Sequence, residues 1–297
     1  MTGFFNVYKE AGFTSHDVVA IIRKLTRAKT GHTGTLDPDA EGVLPVCVGR
    51  GTKFAEFLTA QDKAYVAEVV LGVETDTGDM TGEVQQRLPV AFDEDVIIKT
   101  IKNFRGPQLQ IPPMYSAVKI DGKRLYQLAR EGKTVERKPR PVNIIDIRAF
   151  GFRPAENIFS IDVTCSKGTY IRSLCMDIGK ALGTCAAMGS LLRTRSGKFS
   201  LDTAVKISDL RIAAEKNCLS TLLLPVEEIF PLPRAYVNHD GYLMAKNGNP
   251  IPITMVKLAN GSIPAGGNFW LHGPDDDAIG LFSLKPGLDK LCLEVLL

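Results

Sequence analysis

The chain of 297 residues is 44% hydrophobic and 23% charged and carries a net charge of +3. That is the balance of a globular protein with room for one large domain and a small one, and it excludes a disordered or fibrous class. A membrane-spanning class is excluded too, because no apolar run approaches the roughly 20 residues that a bilayer needs. The start, Met1-Thr2-Gly3-Phe4-Phe5, lacks the charged-then-apolar order of a secretion signal, so a cytoplasmic location is expected.

Thr14-Ser15-His16-Asp17 predicts a helix start, with hydroxyl caps ahead of Val18, Ile21, Ile22 and Leu25 at the spacing of a buried stripe. The outer face carries Arg23, Lys24, Arg27 and Lys29, which brings a basic end next to Gly31-His32-Thr33-Gly34-Thr35-Leu36-Asp37-Pro38. Glycines so spaced allow a tight turn or a close approach, and Pro38 biases Asp37 toward an extended conformation. Taken alone, Asp37-Pro38-Asp39 is ordinary turn chemistry. The loop, however, runs into the apolar residues 43–48, which read as a buried strand, so Asp37 is expected at the mouth of a core element.

Phe54, Phe57 and Leu58 predict a second helix, and Tyr65, Ala67, Val69 and Leu71 form one face of a strand. Residues 74–83 invite comparison with a calcium loop, but Met80 falls on a ligand position, so a polar connector is expected. A third helix is predicted over 93–104, with Ile97, Ile101 and Phe104 inward. Residues 111–117 extend, Asp121-Gly122 turns, and a short helix over 124–130 precedes Glu136-Arg137-Lys138-Pro139-Arg140-Pro141, a protruding loop by its prolines and cations. Between Lys119 and Arg148, nine Lys or Arg stand against four Asp or Glu. Such an excess is either a solvated face or an anion-binding one.

Residues 142–150 and 159–165 predict strands, the second alternating cleanly between Phe159, Ile161, Val163 and Ser160, Asp162, Thr164. Ser166-Lys167-Gly168-Thr169-Tyr170-Ile171-Arg172 then leads into a helix whose stripe is Ile171, Leu174, Cys175, Ile178 and Leu182. Arg172 falls in the first turn, where the helix dipole disfavours a cation by up to about 1 kcal/mol. A phosphate or a carboxylate such as Asp37 is expected to compensate, the alternative being an exposed arginine with no partner. A strand over 191–199 carries Arg193, Arg195 and Lys198, a helix covers 208–218, and Pro225, Pro231 and Pro233 mark a linker. Residues 236–297 have the short alternating runs of a small β-rich module.

Cys47, Cys165, Cys175, Cys185, Cys218 and Cys292 lie far apart and mostly in apolar runs, so they read as buried thiols. His16, His32, His239 and His272 lack the short spacings of metal ligands, and no metal is expected.

Gly-His-Thr-Gly-Thr-Leu-Asp-Pro at 31–38, with Gly-Val-Leu-Pro-Val at 42–46, resembles the signature of the TruB family of tRNA pseudouridine synthases. Asp62-Lys63-Ala64-Tyr65, residues 111–119, Leu125-Tyr126 with Ala129-Arg130, and residues 166–172 look like further family blocks, in the family's order. The resemblance implies an α+β pseudouridine synthase fold: a mixed, mainly antiparallel central sheet flanked by helices, with a basic inserted loop. It also implies a catalytic domain over 1–233, with an RNA-clamping insertion at about 105–148. Residues 234–297 resemble a small PUA-like domain by position and by Asn247-Gly248-Asn249-Pro250.

The activity implied is isomerisation of uridine-55 in the T loop of tRNA, with no cofactor, no metal and no protein partner, by a monomer. In that resemblance Asp37 is the nucleophile, Arg172 its cationic partner and Tyr65 the aromatic that stacks on the extruded base. His32 fills the vacated stack, Tyr170 and Leu191 border the pocket, and Lys9 is a weaker match, because Tyr8-Lys9-Glu10-Ala11-Gly12 lacks the family's acid and proline. Lys119, Lys123, Arg124, Arg130, Lys133, Arg137 and Lys138 would meet RNA phosphates. Two other readings compete: a catalytically silent tRNA-binding or folding chaperone on the same scaffold, and a carboxylate hydrolase of glycosidic bonds.

Overall fold

A computed structural model describes residues 1–120, 122–258, 267–285 and 287–297; Asp121 of the predicted turn and the side chain of Arg130 lie outside the described residues. Strands of the first half are Gly3–Lys9 (β1), Thr30–His32 (β2), Glu41–Val48 (β3), Lys63–Leu71 (β4), Val73–Thr75 (β5), Val84–Arg87 (β6), Gly106–Gln110 (β7), Lys119–Ile120 (β8) and Lys123–Arg124 (β9). Arg140–Arg153 (β10), Ile158–Cys165 (β11), Ala186–Ser196 (β12), Phe199–Ser200 (β13) and Val205–Lys206 (β14) follow. Helices are Ser15–Thr26 (α1), Ala55–Thr59 (α2), Glu94–Lys102 (α3), Leu125–Arg130 (α4), Ile171–Ala181 (α5), Ile207–Glu215 (α6), Val226–Ile229 (α7) and His239–Lys246 (α8).

The central sheet runs β14-β1-β3-β12-β4-β11-β10-β7, with β2 added to β3 and β13 to β12. Its β1–β14 and β3–β12 pairs are parallel and the others antiparallel, so the expected mixed, mainly antiparallel sheet is present. Alternation places the strands: Tyr65, Ala67, Val69 and Leu71 of β4 pack with Phe159, Ile161 and Val163 of β11 in one core, covered by Ile171, Leu174 and Ile178 of α5. Helix α1 starts where its capping box predicts, Thr14 and Asp17 each accepting from the other's backbone N–H.

A second sheet, β16-β20-β19-β18-β15-β17, is built from Arg234–Val237 (β15), Ile251–Pro252 (β16), Val256–Leu258 (β17), Asn268–His272 (β18), Ala278–Leu284 (β19) and Lys290–Leu296 (β20). It is joined to the first by a shared core in which Trp270 and Leu281 pack with Phe4, Phe54 and Phe199. Trp270 and Phe54 ring centres lie 5.6 Å apart, and the indole N–H donates to the Phe230 carbonyl at 2.7 Å.

Several expectations need correction. The predicted linker is packed, not loose: α7 buries Val226 and Ile229 in the shared core, and Phe4 and Leu224 exchange backbone hydrogen bonds. Within the segment expected as a basic insertion, β7 and the start of β10 pair in the central sheet. The strand predicted from 191 begins at Ala186, in a run whose alanines and Gly189 have low strand propensity, and it bulges between Met188 and Leu191. The module with little helical periodicity contains α8, capped by Asn238.

Candidate active site

Between β2 and β3 the chain leaves the sheet as a loop that carries Asp37, and three buried side chains hold its backbone. Ser15, at the start of α1, accepts from the Leu36 N–H at 2.9 Å and donates to the Leu36 carbonyl at 3.1 Å. Lys9 Nζ donates to the carbonyls of Pro38 at 2.8 Å and Ala40 at 2.6 Å. Arg193 donates through Nε to Val43 O at 2.6 Å and through Nη2 to Gly34 O at 3.1 Å. Gly42, with φ of +104°, must be glycine, since a Cβ there would stand 2.3 Å from the Arg193 carbonyl.

Arg172 enters from α5. Its Nη2 lies 3.0 Å from Asp37 Oδ2 and 3.2 Å from Oδ1 and donates to the Tyr115 carbonyl at 2.8 Å, and its Nη1 donates to the Thr77 carbonyl at 3.1 Å. Asp79 stands on the other side, Oδ2 at 3.8 Å from Arg172 Nε. Its Oδ1 accepts from the hydroxyls of Thr77 at 2.7 Å and Thr81 at 2.6 Å. The cation disfavoured by the helix dipole is therefore offset by two carboxylates and two carbonyls.

Burial raises the pKa of the Asp37 carboxyl from its ordinary value; Arg172 opposes that shift and Asp79 adds to it. The result is a carboxylate less well solvated than one in water, held by one strong donor. Asp37, Asp79, Tyr115, Arg172, Met188 and Leu191 border an open pocket of about 220 Å3. The pair thus sits where a flat ring can reach it.

The other sequence-derived candidates divide. Leu191 lines the pocket. Tyr65 is buried on β4, in register with Arg193 on β12 and hydrogen-bonded to its side chain; burial raises the pKa of its phenol and Arg193 opposes the rise. His32 is half-buried on β2, its Nδ1 accepting from Gly34 N–H at 3.3 Å, and burial lowers its pKa, which favours the neutral ring. Tyr170 is half-buried at the start of α5, where its backbone N–H donates to Gln110 Oε1 at 2.8 Å.

Lys9 is 0% exposed, and its ammonium donates to loop carbonyls. In the basic loop, Lys119, Lys123, Arg124 and Lys138 are exposed. Lys133 pairs with Glu131 at 2.8 Å, and Arg137 donates to the Pro112 carbonyl at 3.1 Å, so its task includes shaping the loop. Asp79 and Arg193 were not among the expected site residues. Arg193 could have been found by its phase, two residues from Leu191 on the same strand face. Nothing local in 74–83 marks Asp79.

All six cysteines are free thiols, four of them buried. Among the described residues, no group of three or more His, Cys, Asp or Glu is placed to hold a metal ion, and no helix is long and apolar enough to cross a membrane.

Residues 23–171 match the TruB family pseudouridylate synthase N-terminal domain, and residues 172–231 match the tRNA pseudouridylate synthase B C-terminal domain. The chain belongs to the TruB family. The two TruB regions meet between Ile171 and Arg172, so the carboxylate comes from one and the guanidinium from the other. A relative named tRNA pseudouridine synthase B, from Alkaliphilus oremlandii (strain OhILAs), is 48% identical over 255 residues, 84% of this chain and 83% of that one. Another of that name, from Bacillus licheniformis (strain ATCC 14580), is 41% identical over 291 residues, 95% of this chain and 89% of that one. The TruB chain also superposes on a chain of the crystal structure of a Cbf5-Nop10-Gar1 complex with a TM-score of 0.70 and 27% identity, covering 99% of this chain and 83% of that one. The pseudouridine synthase fold is therefore the fold of this chain.

Proposed function

We propose that this chain is a tRNA pseudouridine synthase that isomerises uridine-55 of the T loop. The observation that carries the reading is the Asp37 carboxylate, 3.0 Å from a buried guanidinium and open to a pocket. The target base is stacked in a folded loop, so the nucleotide must be extruded into that pocket before any group can touch it. Asp37 then attacks as an ionised nucleophile, as carboxylates do in glycosidases. The base-to-ribose C–N bond breaks, the ring turns, and a ring carbon joins the ribose while the bond made by Asp37 breaks and returns the carboxylate; the proton on that carbon goes to solvent and the freed ring nitrogen takes one up. Arg172 keeps Asp37 ionised, which desolvation alone would oppose.

Tyr65 is assigned to stack on the base, His32 to fill the gap left in the RNA, and Leu191 and Tyr170 to border the ring. Lys119, Lys123, Arg124, Arg130, Lys133 and Lys138 are assigned to the phosphates of the T arm, with Arg137 shaping their loop. Such contacts position RNA without reading its sequence. Residues 1–233 would form the catalytic domain and 234–297 a PUA-like RNA-binding domain, in a cytoplasmic monomer.

The test is tritium release from tRNA labelled at uridine C5, followed by mapping of the product. Release with pseudouridine at position 55 is expected. Free uracil would instead indicate a glycosidic hydrolase, and binding without release a silent RNA chaperone; either overturns the reading.

A further inference from the structure

Arg193 is 1% exposed; it donates to the backbone carbonyls of Val43 at 2.6 Å, Gly34 at 3.1 Å and Thr35 at 3.5 Å, and it also hydrogen-bonds the Tyr65 phenol. A charge buried this deeply is costly unless its surroundings supply compensating dipoles. Those dipoles come from the two sides of Asp37: Gly34 and Thr35 in the loop ahead of it, and Val43 in β3, the strand into which the loop runs. The strand behind the loop is pressed close to Arg193: a Cβ at Gly42 would stand 2.3 Å from the Arg193 carbonyl oxygen. The charge is also felt nearby, since it contributes to lowering Lys63, pushed down to about 8, and His32, and it works to acidify Tyr65.

We propose that Arg193 is a positioning residue: by gripping carbonyls on the two sides of Asp37 it sets where the carboxylate stands relative to Arg172, so that the chemical step depends on it while RNA binding does not. This inference rests on the functional reading above. A lysine would keep the charge but not the function, because one ammonium cannot span Gly34 and Val43 as a planar fork does. Misplacing a reacting group by about 1 Å is enough to cost a hundredfold in rate.

The experiment is single-turnover pseudouridine formation on tRNA by the full-length chain, compared for wild type, R193K and R193M, with tRNA affinity and melting measured alongside. R193K is expected to slow the step at least about tenfold and R193M about a hundredfold, with tRNA Kd within about twofold. The acid limb of the R193K rate profile should move to higher pH, because a displaced Asp37 loses part of the Arg172 attraction. A merely structural role would lower the folded fraction and leave that limb in place. R193K turnover within about twofold of wild type, or slowing that follows the folded fraction with an unmoved limb, overturns the inference alone. No product from the wild type overturns the functional reading and this inference together.

Discussion

Arg172 and Asp37 meet at 3.0 Å with unequal exposure: the guanidinium side chain is 6% exposed and the carboxylate 38%. The cation is the anchored member, tied also to Tyr115 and Thr77 carbonyls, and the anion faces the pocket. That asymmetry makes the carboxylate the accessible member of the pair.

Replacing Asp37 with Asn keeps an acceptor for Arg172 while removing the nucleophile. Product formation should fall to background, and tRNA affinity should stay within a few-fold of wild type, as read by tritium release and filter binding. An active Asn variant would remove Asp37 from the mechanism.

The same substitution should change stability with a definite sign. Asp37 has a folded pKa raised above its unfolded value, so the folded state holds more protons and wild-type stability falls as pH rises through that interval. At neutral pH Asp37→Asn should therefore melt higher than wild type, with the gain vanishing at acid pH, where the carboxyl is protonated in both states. Melting curves at pH 3.5 and pH 7 would check this; an equal gain at both would sever it from ionisation.

Lys9 carries the opposite linkage. Burial lowers its pKa from 10.5 to about 8, so the unfolded chain binds the extra proton between those values, and Lys9 makes the fold more stable as pH rises through the window. Denaturant titrations at pH 7.5 and 10.5 should show a smaller gain for Lys9→Met than for wild type, with a lower stability overall because the Pro38 and Ala40 carbonyls lose their donor. Equal gains in the two proteins would place the neutralisation elsewhere.

Neutralising the exposed Lys119, Lys123, Arg124 and Lys138 together should weaken tRNA binding and reduce its salt slope by roughly one for each phosphate left without a cation. Arg137→Met should instead act through the loop, since its guanidinium is committed to Pro112. An unaltered salt slope in the quadruple variant would move the RNA-binding surface to another face.

Much of this was legible because strand alternation is a local signal: Phe159, Ile161 and Val163 on one face, Tyr65, Ala67 and Val69 on the next, found their partners as spacing required. Asp37 and Arg172 could be linked across 135 residues only by asking what would offset a cation in a first helical turn, and by family likeness. Asp79 gave no such clue, because its neighbours Thr77 and Thr81 read as an ordinary polar connector. Lys9 and Arg193 were hidden differently: lysine and arginine in strands suggest solvent, and partners distant in the chain, the carbonyls that both bind and the Tyr65 phenol for Arg193, accompany their burial. The packed α7 was masked by its flanking prolines, whose turn signal says nothing of what lies underneath.

Trp270 belongs to the smaller sheet by hydrogen bonding, yet its ring is lodged among Phe4 and Phe199 of the larger sheet and Phe54 of the turn that follows β3. It works as a stopper in a socket. Removing the smaller sheet would leave an unlined hollow beneath Phe4 and Phe54, so a relative that exchanged this appendage for another would have to supply a bulky plug of its own.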